Sequence, residues 1–172
     1  RVACYDASTG RVLWEERYPS DYANMAYASG PRATPAIADG IVYTIGAAGQ
    51  VLALDAETGR RIWSRHLIAD DDAPLPAWGF CSSPFTWRNL LIVQAGAPRD
   101  RCLLALDGQT GKTVWASLND AAGYSTPLIV EHAGAHQLIC WTPTHIRSVA
   151  ASTGTPLWSI PFQADSGMAI AM

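Results

Sequence analysis

From Val51 to Leu54 every position is apolar, with Leu52 and Leu54 falling on one face and Val51 and Ala53 on the other. Apolar residues on both faces of an alternating stretch predict a strand packed on both sides. Polar positions then interrupt it: in Asp55-Ala56-Glu57-Thr58-Gly59 the aspartate can accept hydrogen bonds from backbone N–H groups, and the glycine can take the positive φ of a tight hairpin. Four residues beyond the glycine stands Trp63, on a second predicted strand whose charged neighbours Arg60, Arg61 and Arg65 blunt a sheet edge.

The same pattern recurs three times. Val2 to Trp14 carries Asp6, Gly10 and Trp14, and Cys102 to Trp115 carries Asp107, Gly111 and Trp115. A worn form runs from Ser148 to Trp158, keeping Gly154 and Trp158 but with Ala150 in place of the aspartate and Pro156 two residues before the tryptophan. The four tryptophans fall 49, 52 and 43 residues apart. One motif per unit at such a period reads as a propeller or another repeat array.

Around each motif lie shorter apolar runs. Asp39-Gly40 separates two of them as a hairpin signal, and Arg88-Asn89 separates another two. A Thr-Pro or Ser-Pro opens each complete unit, at Pro35, Pro84 and Pro127. Each unit therefore predicts a four-stranded antiparallel sheet with strands A to D, the motif spanning C and D. The expected sheets occupy 1–18 (C and D only), 33–68, 82–119 and 125–162, with a further one starting at 167–172. Residues 68–80 hold three aspartates and two prolines and are read as loop.

Composition narrows the classes. At 172 residues and 49% hydrophobic there is ample apolar surface for a core. A net charge of −3 with interspersed signs argues against a nucleic-acid surface, and no apolar run is long enough to span a bilayer. The four cysteines, Cys4, Cys81, Cys102 and Cys140, form no C-x-x-C, so zinc and redox-motif readings lack support and free thiols are expected.

Ala53, Asp55, Thr58, Gly59, Arg60 and Trp63, with their counterparts Ala105, Asp107, Thr110, Gly111, Lys112 and Trp115, resemble the tryptophan-docking motif of PQQ-like β-propeller repeats. That family includes quinoprotein alcohol dehydrogenases and the outer-membrane assembly lipoprotein BamB. The resemblance implies an all-β fold, an open arc of about three and a half four-stranded blades from a ring of seven or eight. A closed ring would need roughly twice this length, so the chain is read as a fragment. The tryptophans are expected to be structural.

Candidate contact residues come from the connectors. Arg32, Cys81 and Tyr124 each stand three residues before a unit's opening proline. In the geometry the resemblance implies, they ring the mouth of the central channel. Tyr22, Tyr27, Trp78, Phe80 and Trp141 cluster in the same connectors, as aromatics suited to a protein interface. Arg99, Asp100 and Arg101 are read as a solvated turn. His132 and His136 flank Ala133-Gly134, a turn signal, which argues against a metal pair.

The expected function is a non-catalytic, BamB-like scaffold in the bacterial periplasm or envelope, with protein partners and without cofactor. The alternative is part of a PQQ-dependent dehydrogenase. PQQ and calcium are implied only there, and would call for an adjacent cysteine pair and a Glu/Asn/Asp set. No cysteines are adjacent here, and Asn24, Asn89 and Asn119 cannot be assigned to such a set.

Overall fold

The computed structural model describes residues 1–27 and 29–163, among which three four-stranded sheets and one two-stranded sheet form, all antiparallel. The first sheet pairs β1 (Val2–Tyr5) with β2 (Val12–Glu16). In the second, β3 (Ala36–Ala38), β4 (Ile41–Ile45), β5 (Gln50–Asp55) and β6 (Arg61–His66) run in simple meander order. The third repeats this with β7 (Phe85–Trp87), β8 (Leu90–Ala97), β9 (Arg101–Asp107) and β10 (Thr113–Ser117). The fourth holds β11 (Leu128–His132), β12 (Ala135–Trp141), β13 (His145–Ala150) and β14 (Pro156–Pro161). The sheet start expected at 167–172 lies outside the described residues.

The core lies between sheets, not within one. Val51 and Ala53 pack toward the third sheet, with Leu104 and Leu106, while Leu52 and Leu54 pack toward the first, with Val2 and Trp14. Leu103 and Cys102 look the other way, onto Leu138, Cys140 and Val149 of the fourth sheet. The two-faced apolar pattern at 51–54 is thus a consequence of being sandwiched, and the sheets stack in chain order as an unclosed arc of propeller blades.

The segment read as loop at 68–80 begins with a short helix, α1 (Leu67–Asp71). Its three consecutive aspartates each have a separate task. Asp70 caps the helix by accepting the His66 backbone N–H at 2.8 Å. Asp72 takes the left-handed conformation that ends it, at φ 58°, and pairs with Arg99. Asp71 is buried, and accepts hydrogen bonds from Arg65 (Nε at 2.7 Å) and from Arg101. A run that looks merely polar is therefore helical because each carboxylate finds a donor. Arg101 is accordingly no solvated turn residue. No helix among the described residues is long and apolar enough to cross a membrane.

Candidate functional site

Two sets of residues singled out by the sequence are brought together, one between the sheets and one on the connectors. Between the sheets, the motif turn has a fixed geometry. Asp55 Oδ1 accepts from the Thr58 N–H at 2.8 Å and the Thr58 hydroxyl at 2.6 Å, and Asp107 does the same with Thr110 at 2.9 and 2.7 Å. Asp6 gathers four such donors from Ser8 and Thr9, which hold its carboxyl down at a pKa of about 2. The glycine N–H then closes onto the carbonyl four residues back at 2.8 Å, in all four copies. In the fourth copy Ala150 offers no carboxylate, yet Gly154 closes the same way with φ 72°.

Three of the four indoles reach across to the next sheet's turn. Trp14 donates to Ala56 O at 3.0 Å and Trp63 to Gly108 O at 2.7 Å. The ring of Trp14 covers Gly59, that of Trp63 covers Gly111 and that of Trp115 covers Gly154, each so closely that a Cβ there would fall 2.4–2.8 Å from ring atoms. A small residue lies opposite each indole in its own sheet, Cys4, Ala53, Ala105 and Ser148, which leaves room for the ring. Trp158 differs. Its Nε1–H turns back to Gln137 of its own sheet at 3.0 Å, and it is 39% exposed.

This contrast gives a direct check. Gly10 and Gly59 share a φ near 70°, but a Cβ at Gly10 meets nothing within 4 Å while one at Gly59 meets Trp14 at 2.6 Å. Both alanine variants suffer the left-handed backbone cost, about 1–2 kcal/mol. Gly59→Ala adds overpacking of about 1–3 kcal/mol, so its urea midpoint should fall clearly further than that of Gly10→Ala in dilute solution.

The connectors carry two more inter-sheet devices that the sequence reading did not name. Ser83 Oγ accepts from Thr34 N at 2.9 Å and Thr126 Oγ1 accepts from Ser83 N at 3.2 Å, so the residue before each opening proline links one sheet's first strand to the next. Asp120, on the connector between the third and fourth sheets, receives the Arg147 guanidinium through Nε and Nη2, both at 3.1 Å, and the Thr142 hydroxyl at 3.1 Å. It parallels Asp71, held by Arg101 of the sheet that follows. The only sequence signal was an aspartate in each connector.

On the connector side, Arg32, Cys81 and Tyr124 converge on one residue, Trp78. Arg32 donates to Trp78 O, and also to Ala26 O at 2.8 Å. Cys81 Sγ lies 3.2 Å from Trp78 O. The Tyr124 ring stacks on the Trp78 indole with centroids 5.7 Å apart, and Tyr27 meets the indole edge-on at 6.2 Å. The guanidinium lies 5.6 Å over the Tyr22 ring. Burial pushes the Cys81 thiol and the Tyr124 phenol above their ordinary pKa values, so both are neutral at pH 7. The result is a half-buried aromatic cluster topped by exposed Tyr27, with Arg32 engaged by main-chain carbonyls.

Two residues expected there are placed elsewhere. Phe80 is 3% exposed and packs on Gly49 and Leu67 in the core, because its N–H bonds Ala47 O and turns the ring inward. It cannot be a contact residue. Trp141 is half-buried at the end of β12, edge-on to Phe162 at 5.3 Å. A separate cleft of about 590 Å³ is lined by Tyr18, Gln50, Arg61, Arg65, His66 and Asp70, among others, and contains none of the expected contact residues.

Stacked antiparallel four-stranded sheets, locked indole to glycine, define a β-propeller built from PQQ-like repeats. A family described as "Outer membrane protein assembly factor BamB" matches residues 1–171, and the chain belongs to this PQQ-like repeat family. Among curated relatives, the quinoprotein alcohol dehydrogenase PedH of Pseudomonas putida is 32% identical over 59% of this chain and 17% of its own length. The outer membrane protein assembly factor BamB of Bordetella pertussis is 27% identical over 98% of this chain and 42% of its own. Among solved structures, the quinohemoprotein alcohol dehydrogenase ADHIIG from Pseudomonas putida HK5 superimposes with a TM-score of 0.70 at 20% identity, over 97% of this chain and 32% of that one. The chain thus spans less than half the length of these relatives.

Proposed function

We propose that this chain serves as a non-catalytic interaction scaffold in the bacterial envelope, binding protein partners through its connector side without PQQ or calcium. The observation that carries this reading is the Tyr27–Trp78–Tyr124 cluster with Arg32 beneath it. The Arg32 guanidinium is spent on the main-chain carbonyls of Ala26, Tyr27 and Trp78, and the aromatic faces above it suit an incoming surface. Aromatic residues and arginine are enriched in protein interfaces and dominate their binding energy. The sheets beneath hold the cluster rigidly, as befits loops that recognise. The envelope location rests on kinship with BamB.

A photoreactive group at Tyr27 should give a discrete protein adduct in envelope extracts, and Trp78→Ala should reduce that adduct by about tenfold or more, as removal of a hot spot does. An adduct unchanged by Trp78→Ala would remove the cluster from recognition.

A second reading is favoured by the fold likeness to quinoprotein dehydrogenases: a portion of a PQQ-dependent enzyme. Absorbance titration with PQQ and calcium separates the two. Saturable binding to these residues would favour the enzyme, and the scaffold reading expects none.

A further inference from the structure

Two of the three joints between successive sheets are bridged by a connector carboxylate: Asp71 receives Arg101 of the third sheet, and Asp120 receives Arg147 of the fourth. The joint between the first and second sheets has no such bridge. Its connector offers Asp21, but Oδ1 of that residue accepts the Ala23 N–H at 2.8 Å, and no guanidinium pairs with it among the described residues. Arg61 of the second sheet instead goes to Glu16 of β2, through Nε at 3.1 Å and through Nη2. What remains in this joint is the cleft of about 590 Å³, walled by Tyr18 to Asp21 on one side and by the paired strands β5 and β6 on the other. All of its lining falls between residues 18 and 70, so it takes nothing from the outward faces of the first and fourth sheets.

The polar groups left over in this cleft are mostly acceptors. Gln50 donates its Nε2 to Pro19 O at 3.2 Å, and because a carbonyl can only accept, that bond fixes which way the amide faces. Its Oε1 is then buried without a hydrogen-bond partner among the described residues, as is Nδ1 of His66, the cross-strand neighbour of Gln50. Buried polar atoms are nearly always satisfied, so two orphans side by side at the base of a cleft point to a guest that settles between its walls. Asp70 spends Oδ2 on the His66 N–H and Asp21 spends Oδ1 on Ala23, which leaves one carboxylate oxygen on each. Ser64, opposite Leu52, adds an exposed hydroxyl.

Charge and shape narrow the guest. Arg61 and Arg65 line the cleft together with Asp21 and Asp70, so their formal charges cancel: a cation meets two guanidinium groups and an anion meets two carboxylates. Tyr18 packs against the apolar cluster that holds Leu52, which gives the cleft apolar surface as well, and its volume suits a small molecule. We propose that the cleft binds a neutral, hydroxyl-rich small molecule of the sugar class. Its hydroxyls donate to Gln50, Asp21 and Asp70 and accept from Ser64, and its C–H face lies against Tyr18. A hydroxyl both donates and accepts, as a lining with unspent acceptors, a serine hydroxyl and no net charge requires. None of Tyr27, Trp78 and Tyr124 lines the cleft, so sugar binding here and protein recognition at the connector cluster stand or fall separately.

Saturation-transfer NMR of the 172-residue chain tests this with glucose, galactose, N-acetylglucosamine and maltose, each titrated into the millimolar range, and with spermidine and citrate as charged probes. At least one sugar should give a saturable signal, and neither charged probe should displace it. Ser64 and Asp21 are both exposed, so substitutions there should leave the fold intact, which unchanged urea midpoints verify. Ser64→Trp fills the cleft and should abolish the signal. Asp21→Ala should weaken binding about tenfold or more, the loss for one hydrogen bond to a charged group. Absence of saturation with every sugar would overturn the proposal. So would displacement by spermidine or citrate, or binding unchanged in either variant.

Discussion

Replacing half-buried Trp63 by alanine is expected to lower the free energy of unfolding by about 3 kcal/mol, the low end of the range for deleting a large aromatic from a core. The ring covers Gly111, tilts against Tyr43 with centroids 6.2 Å apart, and donates to Gly108 O. Its removal opens a cavity between the second and third sheets and leaves Gly108 O only the Tyr43 hydroxyl, at 3.2 Å, of its two donors. Trp158→Ala, made at the exposed face, should cost much less. Urea denaturation of both variants supplies the comparison. Equal losses would mean that burial between sheets is not what the motif tryptophan contributes.

Asp71→Asn should cost about as much, 3–5 kcal/mol being typical when one partner of a buried ion pair is removed. The Asp71 side chain is fully buried, and the two guanidinium groups it joins belong to β6 and β9 of successive sheets. Arg65 also donates to Gly111 O at 3.1 Å, so the pairing bears on the same joint as Trp63. Asparagine keeps the size but loses the charge, leaving Arg65 and Arg101 confronting each other.

Acid should act through the same group. Burial raises the Asp71 pKa, but hydrogen bonds from Arg65 and Arg101 outweigh it and hold the carboxyl below its ordinary value. A depressed carboxylate contributes fully above its unfolded pKa of about 3.9, and the contribution is lost as pH falls through the lower folded value. Wild-type stability should therefore decline below about pH 4, and the decline should be shallower in Asp71→Asn. Urea midpoints between pH 7 and pH 3 measure this. Identical slopes would show that Asp71 is not a source of the acid sensitivity.

The repeat was open to reading because its determinants are local. An aspartate, a glycine four residues later and a tryptophan four beyond that specify a latch, a positive φ and a ring at fixed offsets, whatever surrounds them. Two-faced apolar strands such as 51–54 then require neighbours on both sides. The Asp71 triad was hidden because its partners sit 6 and 30 residues away, and nothing in three consecutive aspartates shows which one turns inward. Phe80 was misplaced for a related reason: an aromatic in an irregular connector can seal its own loop or face outward, and only the main-chain bond to Ala47 decides. Arg32, Cys81 and Tyr124 could be aligned from their prolines, but their common target, Trp78, lies on a single connector with no periodic signal.

A double-mutant cycle between Trp63 and Gly111 addresses the joint itself. Gly111→Ala drives a Cβ to within 2.8 Å of the Trp63 ring, so its cost includes a clash that disappears once the ring is gone. The double variant should be more stable than the sum of the single losses implies, by about 1 kcal/mol or more. Losses that add to within about 0.3–0.5 kcal/mol would mean that the indole does not sit on that turn.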